Sequence, residues 1–407
     1  MLYNLGIRFY GLGIHIAALF NAKARKWVAG RKNFWSSLPD VSNRNVVWFH
    51  CASLGEYEQG KPVIESWKSE FPDDFILVTF FSPSGFEVKK NDDIADFTTY
   101  LPLDTPRNAR RFVNHFKPKS TFFVKYEFWL NFIRKAKESG SKLYGISVLF
   151  RSNQRFFQWY GKQFLAALHS FDCLFLQREE NKVLLERHGV NNTVVAGDTR
   201  YDRVAHRLES NIKNNYFEKW RFSNEPILVI GSSWPDDESL LIPLINNHTI
   251  SSKVILAPHE VNDRHIDEIE ALLNVPYQKY TELSEDNLPL DDTQVIILDC
   301  IGVLAEAYKY GSIAYVGGGF GTGLHNILEP AVFGLPVIFG PEFKKFPEAF
   351  DFISAGIANS IMDEDEFIEA YNEFSASEDV QALTKTFIKS RIGATQQIME
   401  TIKKASD

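Results

Sequence analysis

The sequence predicts an α/β chain made of two doubly wound parallel sheets in succession, and three observations predict it. From residue 45 onward, short apolar runs rich in β-branched and aromatic residues alternate with segments of helical period. The alternation lapses once, at 205–224, where the chain reads HRLESNIKNNYFEKWRFSN, and then resumes. Between two of the later apolar runs lies a glycine-rich turn, residues 317–323, where a strand hands over to a helix start and the backbone can approach an anion without Cβ atoms in the way.

The first 35 residues stand apart. Residues 5–20 are apolar apart from Arg8 and His15, shorter than the roughly twenty residues a spanning helix needs. No small-residue cleavage site follows. Arg8, Lys23, Arg25, Lys26, Arg31 and Lys32 make the segment basic, with no Asp or Glu, and Trp27 and Trp35 add amphipathic rings. That combination suits a helix lying in or dipping into the cytoplasmic leaflet of a membrane. The chain as a whole carries a net charge of −8, so the expected partners of this basic segment are membrane lipids, and nucleic acid is not expected.

The expected organisation is 1–35 as a membrane-associated segment, 36–205 as a first domain, 206–224 as a linker and 225–407 as a second domain with C-terminal helices. Strands of the first series are expected at 46–51, 75–81, 121–125, 142–148 and 173–177, with helices at 60–70, 107–116, 128–138 and 156–169. The second series has strands at 227–230, 253–257, 295–298, 312–316 and 337–339, with helices at 236–246, 303–310 and 325–333. Two such domains facing one another leave a ligand cleft between their strand C-termini. Cys51, Cys173 and Cys300 are odd in number and lack C-x-x-C spacing, which argues against both a disulfide framework and a structural zinc site.

Candidate chemistry collects where these strands end. Glu56 follows the first strand at a strand-to-helix turn, either as a catalytic carboxylate or as an acid stabilising the helix start. Glu127 holds the equivalent place after 121–125, beside core aromatics. Gly197-Asp198-Thr199-Arg200-Tyr201-Asp202 offers a fixed cation, Arg200, and two acids. In the second half, Ser232 and Ser233 form a small-residue turn suited to phosphate or sugar hydroxyls, or to a helix cap. Pro258-His259 and Ile301-Gly302-Val303 are further turns. After the glycines come Asn326, Ile327, Leu328 and Glu329, whose carboxylate is placed to take ribose hydroxyls. G-x-G-x-x-G fails in every register because Thr322, Leu324 and Asn326 occupy the third position, and no G-K-[ST] exists. No D-x-D follows a strand, so no metal is expected.

On these residues the chain resembles the 3-deoxy-D-manno-octulosonic acid (Kdo) transferases of lipopolysaccharide assembly, inverting glycosyltransferases of GT-B fold. The family's H-x-V-S-x-G-E is similar to His50-Cys51-Ala52-Ser53-Leu54-Gly55-Glu56, and its E-T-E-L-W-P-N to Lys125-Tyr126-Glu127-Phe128-Trp129-Leu130-Asn131. Its G-S-x-K-F-D resembles 197–202, its G-G-H-N-x-L-E-P resembles 323–330, and F-G-P stands at Phe339-Gly340-Pro341. Lys125 replaces the family's first acid, Arg200 its Lys, and the Arg of its P-R-H is absent beside Pro258-His259. The resemblance implies CMP-Kdo as donor, a lipid A precursor (lipid IVA) as acceptor, no cofactor or metal, and a place on the cytoplasmic face of the inner membrane. It assigns Glu56 as general base and Glu127 and Arg200 as supports of the transition state. CMP contacts are implied at Pro258, His259, Ile301, Gly302, Val303, Asn326, Ile327, Leu328 and Glu329. Alternatives are another GT-B transferase using a UDP-sugar and a lipid acceptor, or a non-catalytic nucleotide-binding membrane protein.

Overall fold

A computed structural model describes residues 2–405 except Tyr126, 210–214, 221–224, 285–286 and Asp291. The first sheet contains β1 (Val46–Cys51), β2 (Phe75–Phe80), β3 (Phe97–Tyr100), β4 (Ser120–Val124), β5 (Lys142–Val148), β6 (Cys173–Leu176) and β7 (Thr193–Val195), in the order β3-β2-β1-β4-β5-β6-β7. The second contains β8 (Ile227–Ser233), β9 (Lys253–Pro258), β10 (Tyr277–Lys279), β11 (Val295–Ile297), β12 (Ile313–Val316), β13 (Val337–Phe339) and β14 (Ala358–Ser360), in the order β10-β11-β9-β8-β12-β13-β14. The pairings are parallel, which is why runs such as VVWFHC, FILVTF and STFFV are buried at every position: helices cover both faces. In each sheet the strand order reverses beside its first strand, between β1 and β4 and between β8 and β12. Each reversal opens a crevice beyond the strand C-termini, the place where doubly wound sheets bind ligands.

The chain divides into two compact units, Met1–Arg203 with Arg391–Asp407, and Val204–Ser390. Here the structure corrects the expected boundaries, because 391–407 leaves the second domain and joins the first. The carboxylate of Asp202 accepts the backbone N–H groups of Gly393 and Thr395, both at 2.6 Å, and so caps the helix Ala394–Lys404. That helix lays Ile398, Met399 and Ile402 into the core of the first unit against Val47 and Ile64. Part of the expected linker, 210–214 and 221–224, lies outside the described residues. The remainder is not free chain, since Phe217 and Trp220 of the helix Asn215–Trp220 are buried in the core of the second unit.

Three expected helices are shorter than their apolar period suggests. The segment 156–169 breaks into a 3-10 turn, Arg155–Phe157, and the helix Lys162–Leu168. Gly161 marks the break, packed so closely on the Arg155 carbonyl that a Cβ would come within 1.7 Å. The helix expected at 325–333 covers only Leu328–Val332, and 303–310 becomes Leu304–Ala307 followed by a 3-10 turn.

The N-terminal segment forms α1 (Leu2–Ala17) and α2 (Ala22–Ala29), with a bend of 118° between α1 and the helical stretch Ala22–Ser36, and no single helix among the described residues is long and apolar enough to cross a membrane. α1 is fastened to the first unit: Tyr3 donates to Asp104 Oδ2 at 2.5 Å, and Asn131 donates to Asn4 at 2.8 Å. Leu2, Leu5, Phe9, Leu12 and Ile16 remain exposed along it. Two residues read as surface groups are instead interior. Trp27 is buried, and the Arg31 guanidinium lies 3.8 Å over its ring while donating to the carbonyls of Trp27, Phe81 and Leu101. Three of its N–H groups are satisfied by carbonyls and its face by the indole ring, which offsets the cost of taking that cation out of water.

Candidate active site

In the first unit, β1 delivers the chain to Ser53, which caps α3 (Leu54–Glu70). Glu56 is the third helical residue, and its Oε2 accepts the Ser53 N–H at 2.7 Å and the Ser53 hydroxyl at 3.1 Å, a capping box. The helix-start reading of this acid is therefore realised. The same residue is 8% exposed. Burial and then the charge of Glu127 push its carboxyl up to about 7, against the pull of the Ser53 hydrogen bonds and Lys125. A carboxylic acid poised there exchanges its proton near neutral pH.

Glu127 follows β4, the strand paired with β1 at the order reversal. Burial raises its carboxyl above the usual range, and Arg155 and Lys125 pull the other way. Lys125 stands where the family motif has an acid, and it adopts the left-handed region at φ 66°, a strained choice for a side chain. Tyr126 of the same motif lies outside the described residues.

A buried polar chain ties the two acid-bearing turns together. Trp129 Nε1 donates to His50 Nε2 at 3.0 Å, so the imidazole proton sits on Nδ1 and is donated to Thr79 Oγ1 at 2.9 Å. Trp48 Nε1 donates to the same hydroxyl at 2.7 Å. Burial holds His50 down to about 3, and the ring stays neutral in one tautomer. Trp129 also stacks on Phe81, with centroids 4.6 Å apart. His50 of the H-x-V-S-x-G-E-like motif thus positions the loop carrying Glu127.

Arg200 is held on Asp198, its Nε and Nη2 donating to Oδ2 at 2.9 and 2.7 Å. Its segment is joined to α3 through Thr199, whose hydroxyl donates to the Gln59 carbonyl at 2.5 Å, and through Arg203 to Glu58 at 3.0 Å. Thr199, the residue before Arg200, is thereby tied to α3 three residues along from Glu56, and Arg200 turns its Nε–Nη2 edge to Asp198.

In the second unit β8 ends in Ser232, at φ 54° where its register against β9 shifts, and Ser233, whose hydroxyl donates to Glu238 at 2.8 Å, so the turn expected at these serines is instead the end of the strand. Asp237, absent from the sequence candidates, organises this end of the sheet. Fully buried, it accepts the Trp234 N–H at 2.9 Å and the Gly318 N–H at 2.9 Å, and the Tyr315 hydroxyl donates to its other oxygen at 2.6 Å. One carboxylate so joins the β8 turn, β12 and the glycine loop. Gly318 sits at φ 89°, and a Cβ there would lie 2.4 Å from the Gly323 carbonyl, so the loop closes only with glycine. The signal available in the sequence was the acid three residues past Trp234, a capping-box spacing.

Beside the loop, three rings stack. His259 lies 4.7 Å from Trp234 and 4.4 Å from His325, and Trp234 Nε1 donates to His325 Nε2 at 3.0 Å. Burial, then His259, lowers the His325 pKa, which keeps Nε2 an acceptor. Pro258 and His259 end β9, next to β8 in the sheet. Asn326 accepts the Leu328 N–H at 3.2 Å and donates to Glu329 at 3.2 Å, while Ile327 and Leu328 are buried beneath. Ile301, Gly302 and Val303 belong to the turn after β11, one strand further out, where Ile301 is 90% exposed and Gly302 has φ 101°. Among the described residues no group of three or more His, Cys, Asp or Glu is placed to hold a metal ion, and the three cysteines are free.

Residues 27–203 match the model of the 3-deoxy-D-manno-octulosonic-acid transferase (kdotransferase) family. A 3-deoxy-D-manno-octulosonic acid transferase of Chlamydophila psittaci is 30% identical over 312 residues, covering 74% of this chain and 70% of that protein. The chain belongs to the Kdo transferase family. A Kdo transferase of Rickettsia bellii is 27% identical over 315 residues, 74% of this chain and 72% of that one. As a Kdo transferase family member the chain is an enzyme, a glycosyltransferase. A UDP-GlcNAc 2-epimerase from Neisseria meningitidis, 14% identical, covers 88% of this chain and 99% of its own with a TM-score of 0.61, a likeness of fold.

Proposed function

We propose that this Kdo transferase moves Kdo from CMP-Kdo to a phosphorylated lipid A precursor, with Glu56 as general base. The observation that carries the reading is the pair of carboxylates at the β1–β4 reversal, where burial and then the charge of Glu127 raise Glu56 to about 7. An acceptor hydroxyl is a weak nucleophile. As its oxygen bonds to the anomeric carbon, Glu56 takes the proton and the bond to the CMP phosphate oxygen breaks. CMP departs as a stable anion and needs only positioned donors. The strand ends and turns bearing Ser232, Ser233, Pro258, His259, Gly302 and Asn326, with Ile301, Val303, Ile327, Leu328 and Glu329 about them, supply the donor side, and Glu127 and Arg200 support the transition state. No metal or cofactor takes part in this scheme. The exposed apolar row of α1 holds the enzyme on the cytoplasmic leaflet, where its acceptor resides.

The test is transfer in vitro from CMP-Kdo to a lipid A precursor, with the product weighed by mass spectrometry. A product heavier by one or more Kdo units supports the reading; tighter binding of UDP than of CMP in calorimetry, with no such product, replaces it by a UDP-sugar transferase.

A further inference from the structure

A pocket of about 600 Å³ lies in the first unit beneath α1, and of the residues given a catalytic role above only Glu127 lines it. Its wall on the α1 side is one helical stripe that includes Leu2, Gly6 and Ile7, and Phe164 lies on the other side. The volume falls within the usual range of about 300–1,000 Å³ for small-molecule sites. Two charged groups share this otherwise apolar pocket, Arg155 and Glu127. We infer that this pocket receives an acyl chain of the membrane-borne acceptor, with an anionic group of the same molecule on Arg155. The inference rests on the lipid-acceptor reading above and deepens it by naming where the lipid goes.

Three observations select that occupant. Among the lining residues Leu2 is 83% and Tyr160 61% exposed, and Trp159, next to Tyr160 in the chain, is 85% exposed. An aromatic pair next to an apolar helix row is the pattern of a water–lipid boundary, so what enters comes from a bilayer. The guanidinium of Arg155, 4.6 Å over the Phe164 ring, is a fixed cation for a phosphate or carboxylate head. Finally, Gly6 keeps the space open: a Cβ there meets nothing within 4 Å. A glycine at an exposed helix position costs helix stability relative to alanine, and here its absence of a side chain leaves room in the pocket wall. The Tyr3–Asp104 and Asn4–Asn131 hydrogen bonds hold that wall against the helix following Glu127. A chain seated there brings its head group to the candidate acid.

Gly6→Trp fills the pocket, and Gly13→Trp is its control, since a Cβ at Gly13 also meets open space on the same helix but Gly13 does not line the pocket. The full-length protein is titrated with 11-(dansylamino)undecanoic acid below its micellar concentration. Saturable binding is expected in the wild type, unchanged in Gly13→Trp and weakened at least about tenfold in Gly6→Trp, the equivalent of losing roughly two buried methylenes. Arg155→Gln is expected to weaken the same probe severalfold. In transfer assays Gly6→Trp raises KM for the acylated acceptor by a similar factor and leaves KM for its fully deacylated counterpart unchanged. Equal probe binding by Gly6→Trp and Gly13→Trp overturns the inference, as does an unchanged KM for the acylated acceptor while transfer itself proceeds. If no variant and no wild type transfers Kdo yet Gly6→Trp alone loses the probe, the acyl site stands and the proposed reaction falls.

Discussion

The two order reversals of this molecule are built from opposite materials. At β1–β4 the chain withdraws titratable side chains, Glu56, Glu127 and His50, from water among aromatic rings; burial is the first cause of each one's shift, and the charge of Glu127 adds to it at Glu56. At β8–β12 it presents backbone, a glycine loop and the serine end of β8, joined by the single carboxylate of Asp237. Proton transfer requires a group whose pKa can be moved, and low-dielectric burial moves it. Holding a departing anion requires fixed donors whose state does not change with pH, and main-chain amides are such donors. In the proposed scheme the two reversals differ because the two ends of the reaction ask for different groups.

Glu56→Gln cuts the contrast at its strongest point. The amide oxygen keeps the Ser53 hydrogen bond, so the melting temperature is expected to stay close to wild type while kcat falls by about 10²–10⁴; a steady-state assay beside a thermal melt checks both. Asp237→Ala attacks the other end. It strands the Tyr315 hydroxyl and two backbone N–H groups, at about 1–3 kcal/mol for each buried orphan. Denaturant unfolding should show a loss of several kcal/mol, and calorimetry a weaker affinity for CMP.

Glu127→Gln sharpens the comparison through pH. Its charge raises Glu56, so its removal should move the acid limb of kcat/KM, near pH 7 in the wild type, to lower pH. The stability effect runs the other way from activity. Folded Glu56 titrates near 7 and an unfolded glutamate near about 4.3. Its contribution to stability is complete below the unfolded value and is lost as pH rises through 7, while the base becomes active across the same window. An unfolding series between pH 5 and 8 should show that loss in the wild type and not in Glu56→Gln. The smallest effect is expected from Trp129→Phe, which removes one donor to His50 and should cost about 1 kcal/mol, with a fall in kcat larger than the fall in melting temperature implies.

How much of this was legible in the chain depends on where a residue sits. Every interior strand of both sheets was readable as an apolar run, because burial on two faces forces continuous hydrophobicity. The four strands that escaped, β3, β7, β10 and β14, are the four sheet edges. They are only three or four residues long, with sequences such as FTTY and YQK, and one side of each lacks a neighbour to demand apolar character. Glu56 and Glu127 were legible as carboxylates at strand ends. Arg31 and Trp27 misled, because a basic, aromatic segment reads the same whether it meets lipid or a buried set of carbonyls.

The sequence by itself determined the alternation of strand and helix, the glycine loop, and which acids follow which strands, since periodicity and turn chemistry are local. Only the tertiary structure decided that β1 and β4 are neighbours, so that the charge of Glu127 adds to burial in raising an acid some seventy residues before it. It alone decided that Asp237 reaches three elements at once, and that the last helix returns to the first unit. Those outcomes depend on strand order and on who is buried beside whom, and such long-range choices leave no trace in the spacing of residues along the chain.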